Sequence, residues 1–453
     1  MENILGIEKP SKLLRSFAIP SIISMLVSSL YNIVDQIFIG QGVGYLGNAA
    51  TNVAYPLTTI TLAISLLIGI GSASRYSLYL GAGQKEKARS VIGNGVVAML
   101  IASLIYVVLV FLFLEPLMHA FGATDQILPY ALEYTSITTF GAPFLIGTNV
   151  LSNMIRADGS PKYSMFCVLI GALVNTVLDP IFIFPFHMGV AGAAWATVLG
   201  QVISFVVGAF YLKHFKQVDM QLKDFRFSFS QTLQTAGIGI SACINQCSIL
   251  FVQVILNNSL VYYGQFTEFG QEIPLAACGI VMKVNAILLA VIIGISQGTQ
   301  PIVGYNYGAK KYQRVKQTFR LSLGCALGVS MVGWLCFQIF TQPILSLFGT
   351  GNPLYFDFAT RFMKVFLLMA CVIGVQVVSS GYFSAVGKPL KGMVLSLTRQ
   401  VLFFIPLVLI LPKFLGLDGI MISAPIADSV AFIVSGVFVM KEWKHLKYLQ
   451  ETS

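Results

Sequence analysis

Ile68-Gly69-Ile70 recurs as Ile293-Gly294-Ile295, about 225 residues further along a chain of 453 residues. The correspondence continues with a drift of a few residues, so that ADGSP at 157–161 matches AVGKP at 385–389. Such a drift requires only small loop insertions in one copy. A repeat of this length is far beyond the period of solenoid proteins. The chain is therefore predicted to consist of two related halves, an arrangement typical of secondary transporters.

Long apolar stretches with few charges occupy most of both halves. Apolar residues make up 56% of the sequence and charged residues only 10%, which is too apolar for a soluble globular protein. Each stretch has about 20 residues or more, the length at which a helix crosses roughly 30 Å of hydrocarbon. Six spans are predicted in each half, at 13–40, 52–80, 90–114, 130–155, 163–184, 190–212, 232–261, 274–304, 317–341, 356–385, 392–411 and 417–440.

The basic residues indicate how these spans are oriented. They concentrate in alternate connections, and the intervening connections contain only Lys413. By the positive-inside rule, the basic connections and both termini are predicted to be cytoplasmic. Because this topology accounts for the net charge of +10, no nucleic-acid binding is expected.

Together these features predict an all-α integral membrane protein with twelve transmembrane helices. Six spans per half is an even number, so the two six-helix bundles should be related by a pseudo-two-fold axis along the membrane normal. Residues 1–215 form the predicted N-lobe and residues 232–453 the predicted C-lobe. The polar segment 216–231 is interpreted as a cytoplasmic linker. The first span is too long for a removable signal peptide.

Two aspartates lie inside apolar spans of the first half, where a charged side chain is costly and typical of a functional site. Asp35 lies late in the first span and Asp179 near the far end of the fifth. They correspond in the repeat to Val254 and to 407–408, which are apolar. Asn175 precedes Asp179 by one helical turn and shares its face. This group suits a proton relay or Na⁺; the alternative is that each aspartate serves only helix packing.

Other ionisable residues in the spans have roles that the sequence leaves open. Asp428 corresponds to Gln201 in the repeat and is equally compatible with a structural and a functional role. Lys283, Arg399 and Arg75 either pair with acids or extend their side chains to the membrane interface.

Motifs of enzymes are not recognised. No phosphate-binding loop of the form GxxxxGK[ST] occurs, so nothing indicates intrinsic ATP hydrolysis. The four histidines lie at or near predicted loops and show no catalytic or metal-binding constellation. The chain is therefore not expected to be an enzyme, and no cofactor is expected.

Several segments, in order along the duplicated chain, resemble the multidrug and toxic compound extrusion (MATE) transporters, in particular the bacterial MepA-like and DinF-like branch. They are YNIVDQIF at 31–38, IRADGSP at 155–161, DPIF at 179–182, GAAWAT at 192–197 and GTQPIVGYNYGA at 298–309. The resemblance covers the whole chain. It implies two bundles that form a V and open alternately to either side of a bacterial cytoplasmic membrane. It also implies export of small, drug-like organic cations in exchange for Na⁺ or H⁺, and we expect a monomer.

The resemblance also implies which residues serve the coupling ion. In relatives of this branch an acidic pair in the N-lobe, with nearby polar partners, has this role, which falls here on Asp35, Asp179, Asn175, Thr197 and Tyr134. If the ion is Na⁺, its expected ligands are Asp35, Asp179 and Asn175. Pro20 matches a proline at which the first helix is proposed to bend. The C-lobe acids of the NorM-like branch have no clear counterpart, so ion coupling there is not expected unless Asp428 takes part.

The substrate is expected to lie between the lobes. Aromatic faces, flexible methionines and amides can hold a cationic drug with broad specificity. Candidates with this chemistry are Tyr31, Asn32, Gln36, Asn149, Asn153, Met154, Gln246, Gln253 and Gln300. For each of them, packing between helices is the alternative role.

Two other functions remain as alternatives. A lipid-linked oligosaccharide flippase of the same superfamily would need a strongly cationic cavity, whereas these spans contain few cations. A membrane-embedded enzyme would need a catalytic cluster or metal ligands at a membrane face. The sequence leaves open the natural substrate and the choice between Na⁺ and H⁺.

Overall fold

The computed structural model describes residues 4–347 and 353–452, and the regular structure in these ranges is helical. The predicted C-lobe thus contains a few residues, 348–352 and 453, outside the described part. The helices are α1 (Pro10–Gly42), α2 (Tyr45–Gly81), α3 (Lys85–Leu112), α4 (Leu114–Ala120), α5 (Leu128–Ala157), α6 (Pro161–Ile183), α7 (Gly189–Phe210), α8 (Phe229–Gly264), α9 (Glu272–Gly308), α10 (Tyr312–Ile339), α11 (Thr341–Ser346), α12 (Pro353–Phe366), α13 (Ile373–Ala385), α14 (Pro389–Leu397), α15 (Ile405–Ile410), α16 (Pro412–Leu415) and α17 (Leu417–Thr452).

Each predicted span coincides with a long helix or with consecutive helices, which confirms the all-α prediction. In the described ranges, 11 segments are long and apolar enough to cross a membrane. The remaining predicted span is α5, whose 30 residues include many threonines, serines and asparagines. The helices extend beyond the predicted bounds because helical structure continues past the apolar stretch. The tail, expected as a short amphipathic or frayed end, continues α17 to Thr452.

Two spans of the second half are interrupted, which hydropathy does not reveal. The tenth span consists of α12 and α13, joined through a short 3₁₀ turn at Ala370–Val372. In the eleventh, α14 changes to a π-helix at Thr398–Phe404, immediately before Pro406. A proline cannot donate to the carbonyl four residues earlier, and its ring displaces that carbonyl. The wider π turn accommodates this displacement.

Each half has its own apolar core. In the first half, one cluster includes Tyr76 and Ile146, and a second includes Tyr106. The second half has one larger cluster that includes Phe319 and Tyr382, whose rings stack at 4.0 Å between centroids. Most buried apolar side chains therefore pack within their own half.

The halves meet at the end of the bundle where α1 begins, which we call the basic end. It comprises the connections 82–84, 158–160, 214–228, 309–311 and 386–388. Here α2 packs on α8 and α1 on α9. A Cβ on Gly239 would lie 1.9 Å from the Leu67 carbonyl oxygen, and one on Gly71 would lie 2.1 Å from that of Thr235. Only glycine permits backbones to approach this closely.

Arg75 forms hydrogen bonds between the two halves at the basic end. The side chain is 7% exposed, and its guanidinium donates to the Gln231 carbonyl (3.0 Å), Thr235 Oγ1 (3.2 Å) and Gln234 Oε1 (2.7 Å). A fourth bond joins it to the Tyr79 hydroxyl at 2.9 Å. Thus Arg75, whose role the sequence left open, binds α2 to the first turns of α8.

The linker between the halves is fastened to the first half by Asp158. This residue is fully buried, and its carboxylate accepts hydrogen bonds from the backbone N–H groups of Lys216 (2.6 Å) and Gln217 (3.2 Å). The hydroxyls of Tyr76 (2.5 Å) and Tyr211 (2.8 Å) donate to the same carboxylate. Burial raises the pKa of the Asp158 carboxyl, while these hydrogen bonds oppose the rise. Asp158 therefore organises the basic end of the first half.

The far end of the linker is fastened by Asn94 of α3. Its Oδ1 accepts the backbone N–H of Ser228 at 2.7 Å, and its Nδ2 donates to Thr232 Oγ1 at 3.0 Å. Gln231 Nε2 donates to Ser90 Oγ at 3.0 Å. The linker and the first turn of α8 therefore adhere to the first half.

Asp158→Ala is expected to lower the free energy of unfolding by about 2–4 kcal/mol, because four donors lose their acceptor in a buried site. Thermal unfolding of the detergent-solubilised protein measures the change. Asp219→Ala is the matched control, since this linker side chain is exposed, and it should shift stability by less than about 0.5 kcal/mol. Equal shifts in both variants would contradict the role assigned to Asp158.

Candidate functional site

The two aspartates of the first half are neighbours in the structure. Helix α6 packs against both α1 and α7, which brings Asp179 opposite Asp35. Their carboxyl groups lie close enough to interact with each other. Asp179 is fully buried, and Asp35 is 9% exposed. Two carboxyl groups can hydrogen-bond only when a proton lies between them, because an ionised carboxylate has no donor.

Asn175 joins this pair to α7. Its Nδ2 donates to Asp179 Oδ1 at 3.2 Å and to Thr197 Oγ1 at 3.1 Å. Helices α6 and α7 approach closely nearby, since a Cβ on Gly171 would lie 2.7 Å from the Gly200 carbonyl oxygen. The glycines thus allow the short side chain of Asn175 to reach both partners.

Two tyrosines complete the surroundings of the acids. Tyr134 of α5 and Tyr31 of α1 both lie near enough to Asp35 and Asp179 to interact with their charges. Tyr134 was predicted here. Tyr31 was expected to line the substrate cavity, but it lies one helical turn before Asp35 and shares its side of α1. The five residues predicted for ion coupling are therefore all brought together.

Several oxygens of this cluster have no hydrogen-bond partner in the described part of the chain. Among the described residues, no donor reaches Asp35 Oδ1, Asp179 Oδ2 or Asn175 Oδ1. Buried polar atoms are nearly always hydrogen-bonded, so three such oxygens in one place indicate room for a proton or a cation. All of them are hard oxygen ligands, the type that binds alkali and alkaline-earth cations.

Nothing in the described ranges indicates a site for a softer metal. No group of three or more His, Cys, Asp or Glu side chains there is arranged to hold a metal ion. Helix α6 is continuous through Pro180 to Ile183. Since proline lacks an N–H, the Thr176 carbonyl still misses its usual intrahelical donor.

An apolar cluster separates the acids from the end of the bundle opposite the basic end. Ile39, Ile183 and Ala193 are buried together, with Phe38 packed against them. A Cβ on Gly42 would lie 2.0 Å from Ile183 Cγ2, so α1 and α6 are in close contact there. This contact shields the acids on that side from water.

Pro20, the expected hinge, lies within a continuous α1 in this conformation. It is buried at the basic end, close to the contact between α1 and α9. The missing N–H leaves the Ser16 carbonyl without its usual donor. The helix is therefore less strongly bonded at this turn, although it is not broken.

Farther from the basic end, side chains on the faces that join the halves become exposed, and we call the space between these faces the cleft. Gln246 and Gln253 follow Gly239 at intervals of two helical turns, so they extend the face of α8 that contacts α2. Gln246 is half-buried and Gln253 is exposed. On α1, Asn32 is exposed and Gln36 half-buried on the face that contacts α9 nearer the basic end. These four predicted residues lie on the cleft walls.

The family assignment follows from a match in each half. The family model MatE matches residues 20–181 and 241–410, which together make up most of the chain. The chain belongs to the MatE family. It is consequently a multi-pass membrane transporter, and the predicted resemblance to MATE transporters is confirmed.

Individual MatE proteins resemble the chain over almost its whole length. The multidrug export protein MepA of Staphylococcus aureus (strain MSSA476) is 26% identical over 436 residues, which cover 94% of this chain and 93% of the relative. The MATE multidrug transporter DinF-BH, solved in complex with R6G, is 34% identical with a TM-score of 0.88 and covers 96% of each chain. A MATE transporter in an outward-facing conformation has a TM-score of 0.91 over 98% of each chain. At 24% identity, this last match shows the fold alone.

Of the remaining cavity residues predicted for this MatE protein, Met154 lies in a core, whereas Asn153 and Gln300 lie at the contact between the halves. Met154 is completely buried in the core of the first half, so the prediction that it lines the cavity is wrong for this conformation. Asn149 and Asn153 donate to carbonyls one turn earlier in α5, those of Leu145 and Asn149. Gln300 is half-buried at the contact between the halves rather than in the open cleft.

Asp428, the second-half acid whose role was left open, is paired with Arg399. Arg399 Nε donates to Asp428 Oδ1 at 2.5 Å, and the Asp428 side chain is 6% exposed. Arg399 lies in the π-helix, where the wider turn presents it toward α17. The pair neutralises both charges, and this gives Arg399 a structural partner that the sequence could not specify.

Proposed function

We propose that this MatE protein is a secondary active exporter that exchanges drug-like organic molecules for H⁺ or Na⁺ bound at Asp35 and Asp179. The carrying observation is the buried pair of facing carboxyl groups with unpartnered oxygens beside Asn175. The relatives support export, since MepA is called a multidrug export protein and DinF-BH was solved with R6G. The organic cations implied by the resemblance belong to this substrate class.

We propose further that the basic end faces the cytoplasm of a bacterial cell and that the protein acts as a monomer in the cytoplasmic membrane. The positive-inside rule supports this orientation, which places both termini in the cytoplasm. The contacts at Gly71, Gly239 and Arg75 then close the cytoplasmic side, while the cleft opens outward. Opening inward requires these contacts to separate.

Helix α1 provides a physical route from the ion to the substrate. Asp35 lies on the side of α1 that packs on α6, whereas Asn32 and Gln36 lie on the side that faces the cleft. Two ionised carboxylates in contact repel each other, and a proton or Na⁺ removes this repulsion. A change in the packing of α1 on α6 therefore reaches the cleft wall directly. Exchange follows only if ion and substrate prefer different states of the protein.

The test is export from proteoliposomes that contain the purified protein and R6G, with a pH gradient and a Na⁺ gradient imposed separately. We expect one of the two gradients to drive R6G out of the lumen. This export is carried out by the protein molecules whose cytoplasmic side faces the lumen. Liposomes without protein and proteoliposomes without a gradient are the controls. If neither gradient accelerates export above these controls, the proposed function is wrong.

A further inference from the structure

Lys283 is a cation in a membrane-spanning helix, and no acidic residue of the described part of the chain forms an ion pair with it. It lies on α9, its side chain is exposed, and none of the ion pairs in the described ranges includes it. A lysine inside a span is costly unless it reaches water or a partner. Its surroundings therefore decide whether it has a function.

The register between α1 and α9 places Lys283 in the cleft. The two helices are antiparallel, and a Cβ on Gly298 would lie 2.6 Å from the Ala18 Cα, while one on Gly294 would lie 2.6 Å from the Ile22 Cα. Lys283 precedes Gly294 by three helical turns and so shares the face that contacts α1. The same register brings it level with the segment between Asn32 and Gln36. Because Lys283 and Asn32 are both exposed on these facing sides of α9 and α1, Lys283 faces the cleft.

The buried acids of the described spans are all engaged elsewhere. Asp35 and Asp179 lie together on the other side of α1. Asp428 binds Arg399, and Glu442 binds Lys388 and Lys391. The cleft wall therefore has a positive charge at Lys283 that no described carboxylate balances.

A second cation that no ion pair of the described residues includes lies at the basic end, at the contact between the halves. Arg156 is 4% exposed and lines a cavity of about 10 Å³ between the halves, together with Ser74, Ser77 and Gln297. Its one hydrogen bond to a described side chain goes to Asn153 Oδ1 at 3.4 Å. Ser74 Oγ, Ser77 Oγ and Gln297 Oε1 have no partner among the described residues. Separation of the halves at this end would expose the guanidinium.

We propose that the preferred substrates are amphiphiles with a single carboxylate, which Lys283 binds in the outward-open cleft and Arg156 binds once the basic end has opened. This inference rests on the proposed export function and specifies its substrate class. The single cation in the cleft and the single cation at the basic end each match one negative charge. A pyrophosphate would require a cluster of cations, and an organic cation gains nothing from either residue.

Rhodamine 110 and rhodamine 123 test this proposal, because they are the free acid and the methyl ester of one dye. Gradient-driven export of each is measured below saturation for the parent, Lys283→Gln and Lys283→Arg. We expect Lys283→Gln to slow export of rhodamine 110 about fivefold, as for loss of a solvent-accessible ion pair, and to change export of rhodamine 123 less than about twofold. Lys283→Arg should retain the parent's preference. Lys413→Gln, an exposed lysine outside the cleft, is the matched control.

The proposal is wrong if Lys283→Gln changes both dyes by the same factor or changes neither. Failure of the proposed function has a different signature, namely that the parent exports neither dye under any gradient. In that case, fluorescence polarisation measures equilibrium binding of the two dyes to the solubilised parent and to Lys283→Gln. The comparison decides whether the protein prefers the dye with the carboxylate. Binding of rhodamine 110 that is equal in both proteins would rule it out.

Discussion

Asp179→Asn is expected to reduce gradient-driven export to the level of liposomes without protein, and Asp35→Asn to do the same. Asparagine has nearly the shape of a protonated aspartate but can neither release a proton nor supply the charge that a Na⁺ requires. The acidic pair would therefore no longer alternate between its ion-bound and ion-free states during the transport cycle. The loss of rate should be at least about tenfold, since a coupling of roughly 1.4 kcal/mol or more disappears. R6G efflux under the effective gradient measures it.

The control for these variants is Asp125→Asn, which changes an exposed acid in a connection at the end of the bundle opposite the basic end. It should export at the parent's rate. Thermal unfolding should show that the aspartate variants are folded, and both are expected to be at least as stable as the parent because a buried charge has been removed. Full export by both variants would refute the coupling site. Loss in only one of them would reduce it to a single acid.

Gly239→Val is expected to lower export by at least about tenfold, because the added side chain prevents α8 from packing on α2. A Cβ at this position would lie 1.9 Å from the Leu67 carbonyl oxygen, so the helices must separate by more than an ångström. The conformation with a closed basic end would then lose population to states in which that end is open.

Gly237→Val is the matched control, since it makes the same substitution two residues away in the same helix. A Cβ at Gly237 meets no atom within 4 Å, so its export should stay within about twofold of the parent. Helix propensity changes equally in both variants. The packing role of Gly239 would be disproved by equal export rates. Size-exclusion chromatography before reconstitution separates a defect in transport from a failure to fold.

Much of the fold follows from the sequence because the bilayer imposes a simple rule on composition. A span needs about 20 apolar residues, and the repeat indicates how the spans divide. The interruptions at Ala370–Val372 and Thr398–Phe404 were not predictable in this way, since backbone geometry there changes without a change in hydropathy. Even Pro406 accounts for one of them only in hindsight, because Pro56, Pro143 and Pro301 in other spans leave their helices intact.

The candidate site could be predicted from the sequence only in part. The spacing of Asn175 and Asp179 alone predicts a shared helix face, and the structure brings them to Asp35. Which face points to the cleft depends on the register between helices, which a single sequence does not contain. Met154 was therefore misplaced, and Lys283 remained unassigned until its position relative to Gly294 was known.

The linker is a suitable site at which to label one half of the protein. Because Asp158 and Asn94 bind its two ends to the first half, a small soluble domain inserted beside Leu222, which is 92% exposed, would follow that half as it rotates. Such an insertion would supply a rigid fiducial for electron microscopy of a molecule that otherwise projects little beyond the detergent. It would also label one half of a pseudo-symmetric particle, so that images of the two halves could be told apart.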